Sequence, residues 1–152
     1  MAVYEIIKMG DPVLREKAKP VTRFNSNLGR LIDDMFDTMA AARGVGLAAP
    51  QIGISKRVCV VEVGKRRFEM VNPEIIEAEG EQCDAEGCLS IPEYTGEVKR
   101  YQRVRVKAQD RNGEEYTVEG TDLLAVAFQH EIDHLDGILF VDRVENDEPE
   151  ER

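Results

Sequence analysis

The chain has 152 residues, 42% hydrophobic and 33% charged, with a formal net charge of −10. That balance describes a single soluble globular domain long enough to bury a core, and no apolar run approaches the roughly 18 residues a membrane span needs. The acidity argues against general nucleic-acid binding, which needs clustered Lys and Arg.

At the N-terminus, Met1-Ala2-Val3-Tyr4-Glu5 has neither the basic nor the apolar region of an export signal, so the cytoplasm is the expected compartment. Leu28, Leu31, Ile32, Met35 and Met39 then recur at helical spacing, with Asp33, Asp34 and Asp37 on the other side. This predicts an amphipathic helix over 27–42, capped by Asn25 or Ser26. A glycine-containing segment follows, Gly44-Val45-Gly46-Leu47-Ala48-Ala49-Pro50-Gln51-Ile52-Gly53. Val58 to Val63 reads as a buried strand that pairs with 67–71 across Gly64-Lys65. Cys83 and Cys88 fall in a loop-like stretch. Arg103–Gln109 alternates, with Val104, Val106 and Ala108 on one face. Asn112-Gly113 supplies the positive-φ residues of a tight turn, and 115–119 returns.

The last element is a helix over 122–136, with Thr121 as N-cap and Gly137 just past its end in the left-handed conformation. Leu123, Leu124, Val126, Ala127, Phe128, Ile132 and Leu135 surround most of its circumference, so it should run through the centre of the domain. The expected fold is therefore α+β, mostly antiparallel strands packed around a central buried helix. The domain is placed at 1–144, and the acidic run 145–152 is expected to be a short, solvated tail.

That central helix carries His130-Glu131-Ile132-Asp133-His134. Histidines four apart on a helix lie about 40° from one another and one turn up, so both rings can reach one ion. The chain holds only two histidines. Their falling in this pattern with Glu next to the first is a coincidence on the order of one in several hundred. Two neutral imidazoles and a carboxylate in a dry helix are also costly without a compensating ion.

A third ligand comes from Glu86-Gly87-Cys88-Leu89-Ser90, where Gly87 permits close backbone approach and is a substrate-binding candidate. Three cysteines are a poor disulfide framework, and a cytosolic cysteine with character is more often metal-binding or catalytic. Cys88, His130 and His134 leave a fourth position open, as catalytic sites do. The rival is a closed structural site that adds Cys83. Against it stand the long gap from Cys88 to His130 and the lack of any role for Glu131.

Gly44-Val45-Gly46-Leu47-Ala48-Ala49-Pro50-Gln51, Glu86-Gly87-Cys88-Leu89-Ser90 and His130-Glu131-Ile132-Asp133-His134-Leu135-Asp136-Gly137 together resemble the three signature motifs of bacterial peptide deformylases. The resemblance extends from the region of Asp11-Pro12-Val13-Leu14-Arg15 to about Val144. It implies hydrolysis of the formamide bond of N-formylmethionyl nascent peptides, releasing formate. A bound divalent ion can lower the pKa of water to about 7, and Glu131 would act as general base and then acid.

By the same resemblance the oxyanion donors are the Gln51 amide and the Leu89 N–H. For Gln51 the plainer alternative is a loop glutamine that caps its own backbone. Val45, Leu123, Val126 and Ala127 would wall the methionine slot, and Gly46 would offer its backbone to the peptide. Arg100 would pair with Asp133 to brace the helix. The ligand set suits Zn²⁺, Fe²⁺, Co²⁺ or Ni²⁺, and the resemblance implies Fe²⁺ in the cell.

Two departures stand out. The tail is acidic where ribosome-docking relatives carry a basic C-terminal helix, so docking by that route is not expected. Tyr94-Thr95-Gly96 also stands where some relatives place an arginine. A metallopeptidase acting on internal peptide bonds is the alternative enzyme.

Overall fold

Strand β2 (Val58–Val63) is apolar along most of its length because both of its faces are covered. Successive strand residues point to opposite faces. In the computed structural model, which describes residues 2–144, Val58 and Val60 pack with helix α1 (Ser26–Ala41), and Cys59 and Val61 pack with helix α2 (Asp122–Leu135). The sheet thus lies between two helices, each contributing the apolar stripe that its periodicity announces.

That sheet has five antiparallel strands in the order β1-β2-β3-β6-β7. They are β1 (Gly46–Ala48), β2, β3 (Arg66–Glu79), β6 (Arg103–Gln109) and β7 (Glu115–Thr121). On β6 every second residue, Val104, Val106 and Ala108, is buried under α2. A separate two-stranded sheet joins β4 (Gln82–Cys88) to β5 (Ile91–Arg100). A third cluster (Leu14, Ile91, Val98, Leu139 and Phe140) fixes that hairpin to the body.

Both helices fall within one residue of the predicted ranges. Asn25 caps α1, its side-chain oxygen accepting from the Leu28 N–H at 3.2 Å. Thr121 stands at the N-cap of α2 but its side chain makes no capping bond. Gly137 has φ 77°, and a β-carbon there would lie 2.5 Å from the Arg15 carbonyl oxygen, so only glycine fits.

Three predictions need correction. The strand expected over 67–71 runs to Glu79, because Asn72-Pro73 makes a bulge rather than an end. Asn72 takes φ 53°, and its side chain bonds both the N–H and the carbonyl of Val21. A register shift between Val71 and Glu74 lets the strand continue. The stretch around Cys83 and Cys88, expected as loop, is β4. In the hairpin between β6 and β7, Gly113 has positive φ and Asn112 does not; the Asp110 side chain caps this loop through the N–H groups of Asn112 and Glu114.

The predicted tail 145–152 lies outside the described residues. Among those described, no helix is long and apolar enough to cross a membrane.

Candidate active site

The three sequence motifs sit on three different elements and converge on one cavity of about 460 Å³. β1 and the short 3₁₀ helix after it (Ala49–Ile52) carry Val45, Gly46 and Gln51 to one wall. The end of β4 and the turn beyond it bring Gly87, Cys88 and Leu89. α2 presents Leu123, Val126, Ala127, His130 and Glu131. Every predicted site residue lines this cavity except His134, which lies beneath it at 1% exposure.

One ligand-type atom from each of Cys88, His130 and His134 lies within 4.8 Å of the others. Cys88 Sγ is 3.3 Å from His134 Nε2. Cys83, by contrast, stands on β4 opposite Lys99, exposed and outside this group. The donor set suits a tetrahedral divalent ion with one position left over. Two buried polar atoms beside it, Glu131 Oε1 and His134 Nδ1, have no hydrogen-bond partner among the described residues. Such orphans are expensive unless something polar meets them.

The electrostatics point the same way. Burial opposes protonation of His130, but its bonds to Cys88 and Glu86 outweigh burial and raise its pKa to about 10. Burial pushes His134 well below the ordinary histidine range, with the charge of His130 and Arg100 adding to the effect. The surroundings that hold a proton on one imidazole also favour a cation beside the sulfur, so the residues present fit a metal ion.

Glu131 is 4% exposed, and burial raises its carboxyl to about 7, against the opposing pull of His130 and Arg100. A carboxyl so tuned can take or give a proton near neutral pH. It lies against Gly46, where a β-carbon would come within 2.4 Å of Glu131 Oε2.

Of the two roles weighed for Gln51, the capping one is seen directly, and it leaves the other end of the amide toward the site. Its Oε1 accepts from the Ala48 N–H at 3.0 Å, which is the self-capping role. That bond also assigns the amide orientation, leaving Nε2 to face Ser90 Oγ at 3.2 Å and Cys88 Sγ at 3.7 Å. Capping therefore points the donor into the site.

Behind Cys88, His130 and His134 lies a layer of which the sequence announced only the Arg100–Asp133 pair. Glu86 is 7% exposed and accepts from Arg100 Nε at 2.8 Å and Nη2 at 3.0 Å, while His130 Nδ1 stands 3.1 Å from Glu86 Oε1. Burial would raise the Glu86 carboxyl, but His130 and Arg100 hold it below the usual range. A carboxylate on one imidazole nitrogen fixes the ring so that the other can serve a metal. Arg100 also meets Asp133 through Nη1 at 2.7 Å, the predicted brace. Arg43, Ala85 and Pro92 line the cavity as well and carried no sequence signal. Val45 and Leu123 are about half exposed (46% and 54%) and form its rim.

Comparison with known proteins agrees with this geometry. The family model described as polypeptide deformylase matches residues 3–150. A peptide deformylase of Heliobacterium modesticaldum is 92% identical over 151 residues, covering 99% of this chain and 100% of that protein. One of Carboxydothermus hydrogenoformans is 56% identical, covering 96% of each. Among solved structures, a peptide deformylase from Legionella pneumophila superposes with a TM-score of 0.92 at 49% identity, over 95% of this chain and 88% of that one. One from Synechococcus elongatus, in complex with actinonin, gives 0.92 at 43% identity, over 95% of this chain and 80% of that one.

Proposed function

The chain belongs to the polypeptide deformylase family and is an enzyme of that kind, and on that premise we propose how its residues share the work. The substrate is an N-formylmethionyl peptide, cleaved at the formamide C–N bond to release formate. The observation that carries this reading is the approach of Cys88, His130 and His134 within 4.8 Å of one another, at a cavity lined by Glu131 and Gln51.

Cys88, His130 and His134 would hold one divalent ion, which supplies Lewis acidity and lowers the pKa of water to about 7. Fe²⁺ is the ion we propose for the cell, with Zn²⁺, Ni²⁺ and Co²⁺ able to occupy the same donors.

Glu131 accepts a proton from the attacking water and delivers it to the leaving amine. Burial of the Glu131 carboxyl, which makes it harder to ionise than an exposed one, suits a group that takes a proton and returns it. The Gln51 Nε2–H and the Leu89 backbone N–H donate to the oxygen that gains charge as the formyl carbon becomes tetrahedral. Ala48 already holds the other end of the Gln51 amide, so Nε2 need only exchange its contact with Ser90 Oγ or Cys88 Sγ for the substrate oxygen. The methionine side chain lies among Val45, Leu123, Val126 and Ala127. Gly46 and Gly87 offer their backbone groups to the peptide, and at Gly46 the space a side chain would fill is taken by Glu131.

We propose that the enzyme acts on nascent chains, and that residues 145–152, with five acidic side chains and one basic, are not themselves a cationic docking element.

Offering the metal-loaded protein a formylated and an unformylated methionyl peptide tests the proposal. Formate release from the first, with no cleavage of either backbone, is the expected result. Cleavage of an internal peptide bond would make the enzyme a metallopeptidase instead.

A further inference from the structure

We infer that Arg143 is a positioning residue for the His130 imidazole, acting through a chain of alternating charges that runs from the surface to the proposed metal ligand. The inference rests on the deformylase reading only in taking His130 as a ligand.

The chain has no gap. Arg143 grips both oxygens of Asp133, Nε to Oδ2 at 2.6 Å and Nη2 to Oδ1 at 3.0 Å. Asp133 Oδ2 also accepts from Arg100 Nη1. Arg100, 5% exposed, turns its other two nitrogens, Nε and Nη2, on Glu86, and Glu86 Oε1 faces both Arg100 Nη2 and His130 Nδ1. Each carboxylate thus stands between two cationic or hydrogen-bonding partners.

A paired group inside a buried network depends on the pair beyond it, because a carboxylate or guanidinium that loses one partner turns toward what remains. Without the Arg143 fork, the Asp133 carboxylate is free to rotate on Arg100. Arg100 then holds Glu86 less firmly, and Glu86 sets the ring plane of His130. Two-point contact is what gives the fork this control, since it fixes the plane of the carboxylate as well as its distance.

Arg143 has a second structural setting that must be separated from this one. It ends a short 3₁₀ helix (Phe140–Arg143) that is also clasped by Arg15, whose Nη1 donates to Asp142 Oδ2 at 2.6 Å. If Arg143 only held this turn down, cutting the Arg15 clasp would have the same effect on the site.

The experiment uses the full chain as parent, Arg143→Met, Arg143→Lys and Arg15→Met, each loaded with cobalt(II). Cobalt affinity is measured by chelator competition, and the geometry at the ion by its visible absorption. Arg143→Met is expected to bind cobalt about 3-fold more weakly, less than the loss of a ligand's own hydrogen-bond partner because Arg143 stands three groups beyond Glu86, with an altered spectrum. Arg143→Lys should recover part of both, having a charge but no fork. Arg15→Met should bind as the parent does, even where it melts earlier.

Parental affinity and spectrum in Arg143→Met, or an equal loss in Arg15→Met, would overturn the inference. Should Arg143→Met not fold, Arg143→Gln is read by the same two measurements. Formate release by the parent, assayed alongside, tests the functional reading separately, so either can fail without the other.

Discussion

The carboxylate of Glu131 rests on the bare backbone of Gly46, so closely that a β-carbon at position 46 would lie 2.4 Å from Oε2 and 2.9 Å from Cδ. β1 pairs with β2 through Gly46 and Val61 and cannot recede without breaking that ladder. Glu131 and the strand beside it therefore specify each other. Gly46→Ala keeps both backbone hydrogen-bonding groups but pushes Glu131 aside. It should lower kcat by at least about 10²-fold, the smaller end of what a positioned base contributes, with a smaller change in KM and with metal content intact. A Gly46→Ala enzyme of parental kcat would show that Glu131 has room to spare.

Coordination and proton transfer are assigned to different residues, and substitution separates them. Cys88→Ala, His130→Ala and His134→Ala should each lose both metal and activity. Glu131→Gln should retain one ion per chain and lose about 10² to 10⁴ in rate. Metal analysis of the four variants checks this. A folded but metal-free Glu131→Gln protein would move Glu131 into the ligand set.

Much of this was readable in the sequence, for reasons that can be stated residue by residue. α1 and β6 announce themselves because each buries an apolar face that repeats at its own period, and β2 and α2 because they are apolar nearly throughout. The β4–β5 hairpin does not, since Gln82–Cys88 buries little besides Glu86 and has no apolar alternation to read. Asn72-Pro73 looks like a strand end because only the side-chain bonds to Val21 and Gln109, supplied by distant chain, make the bulge stable.

In the site, His130, Glu131 and His134 were legible as candidates because HExxH spacing is itself geometry. Glu86 was not. A glutamate beside Gly-Cys reads as surface, and its partners Arg100 and His130 lie 14 and 44 residues away. Nor could sequence decide between capping and catalysis for Gln51, because one end of its amide caps Ala48 while the other faces Cys88 and Ser90.

That division of the Gln51 amide gives a kinetic prediction. Removing one oxyanion donor costs about 10² to 10³ in kcat, so Gln51→Leu should lower kcat by that factor and leave KM close to the parent. Loss of the Ala48 N–H partner should also destabilise the fold, by about 1 to 3 kcal/mol for a buried donor left unmet. Steady-state kinetics and thermal unfolding read the two effects apart. A variant that melts earlier but turns over normally would reduce Gln51 to its capping role.

Cys83 separates the open catalytic site from a closed structural one. Four ligands would be needed for closure, and Cys83 is the remaining cysteine on the same strand as Cys88. It stands five residues back along β4, about 16 Å at the rise of an extended strand, paired with Lys99 and exposed. Cys88 has turned inward because the register shifts between Glu86 and Cys88, where the hairpin tightens toward Ile91. No side-chain rotation closes 16 Å, so Cys83 cannot complete the site while β4 keeps its register. Cys83→Ser should therefore retain one ion per chain and deformylate within a few-fold of the parent, as surface changes cost under about 0.5 kcal/mol. Metal stoichiometry and formate release on Cys83→Ser decide it. Loss of both together would require a different pairing of β4 with β5, and with it a closed metal site that leaves Glu131 nothing to act on.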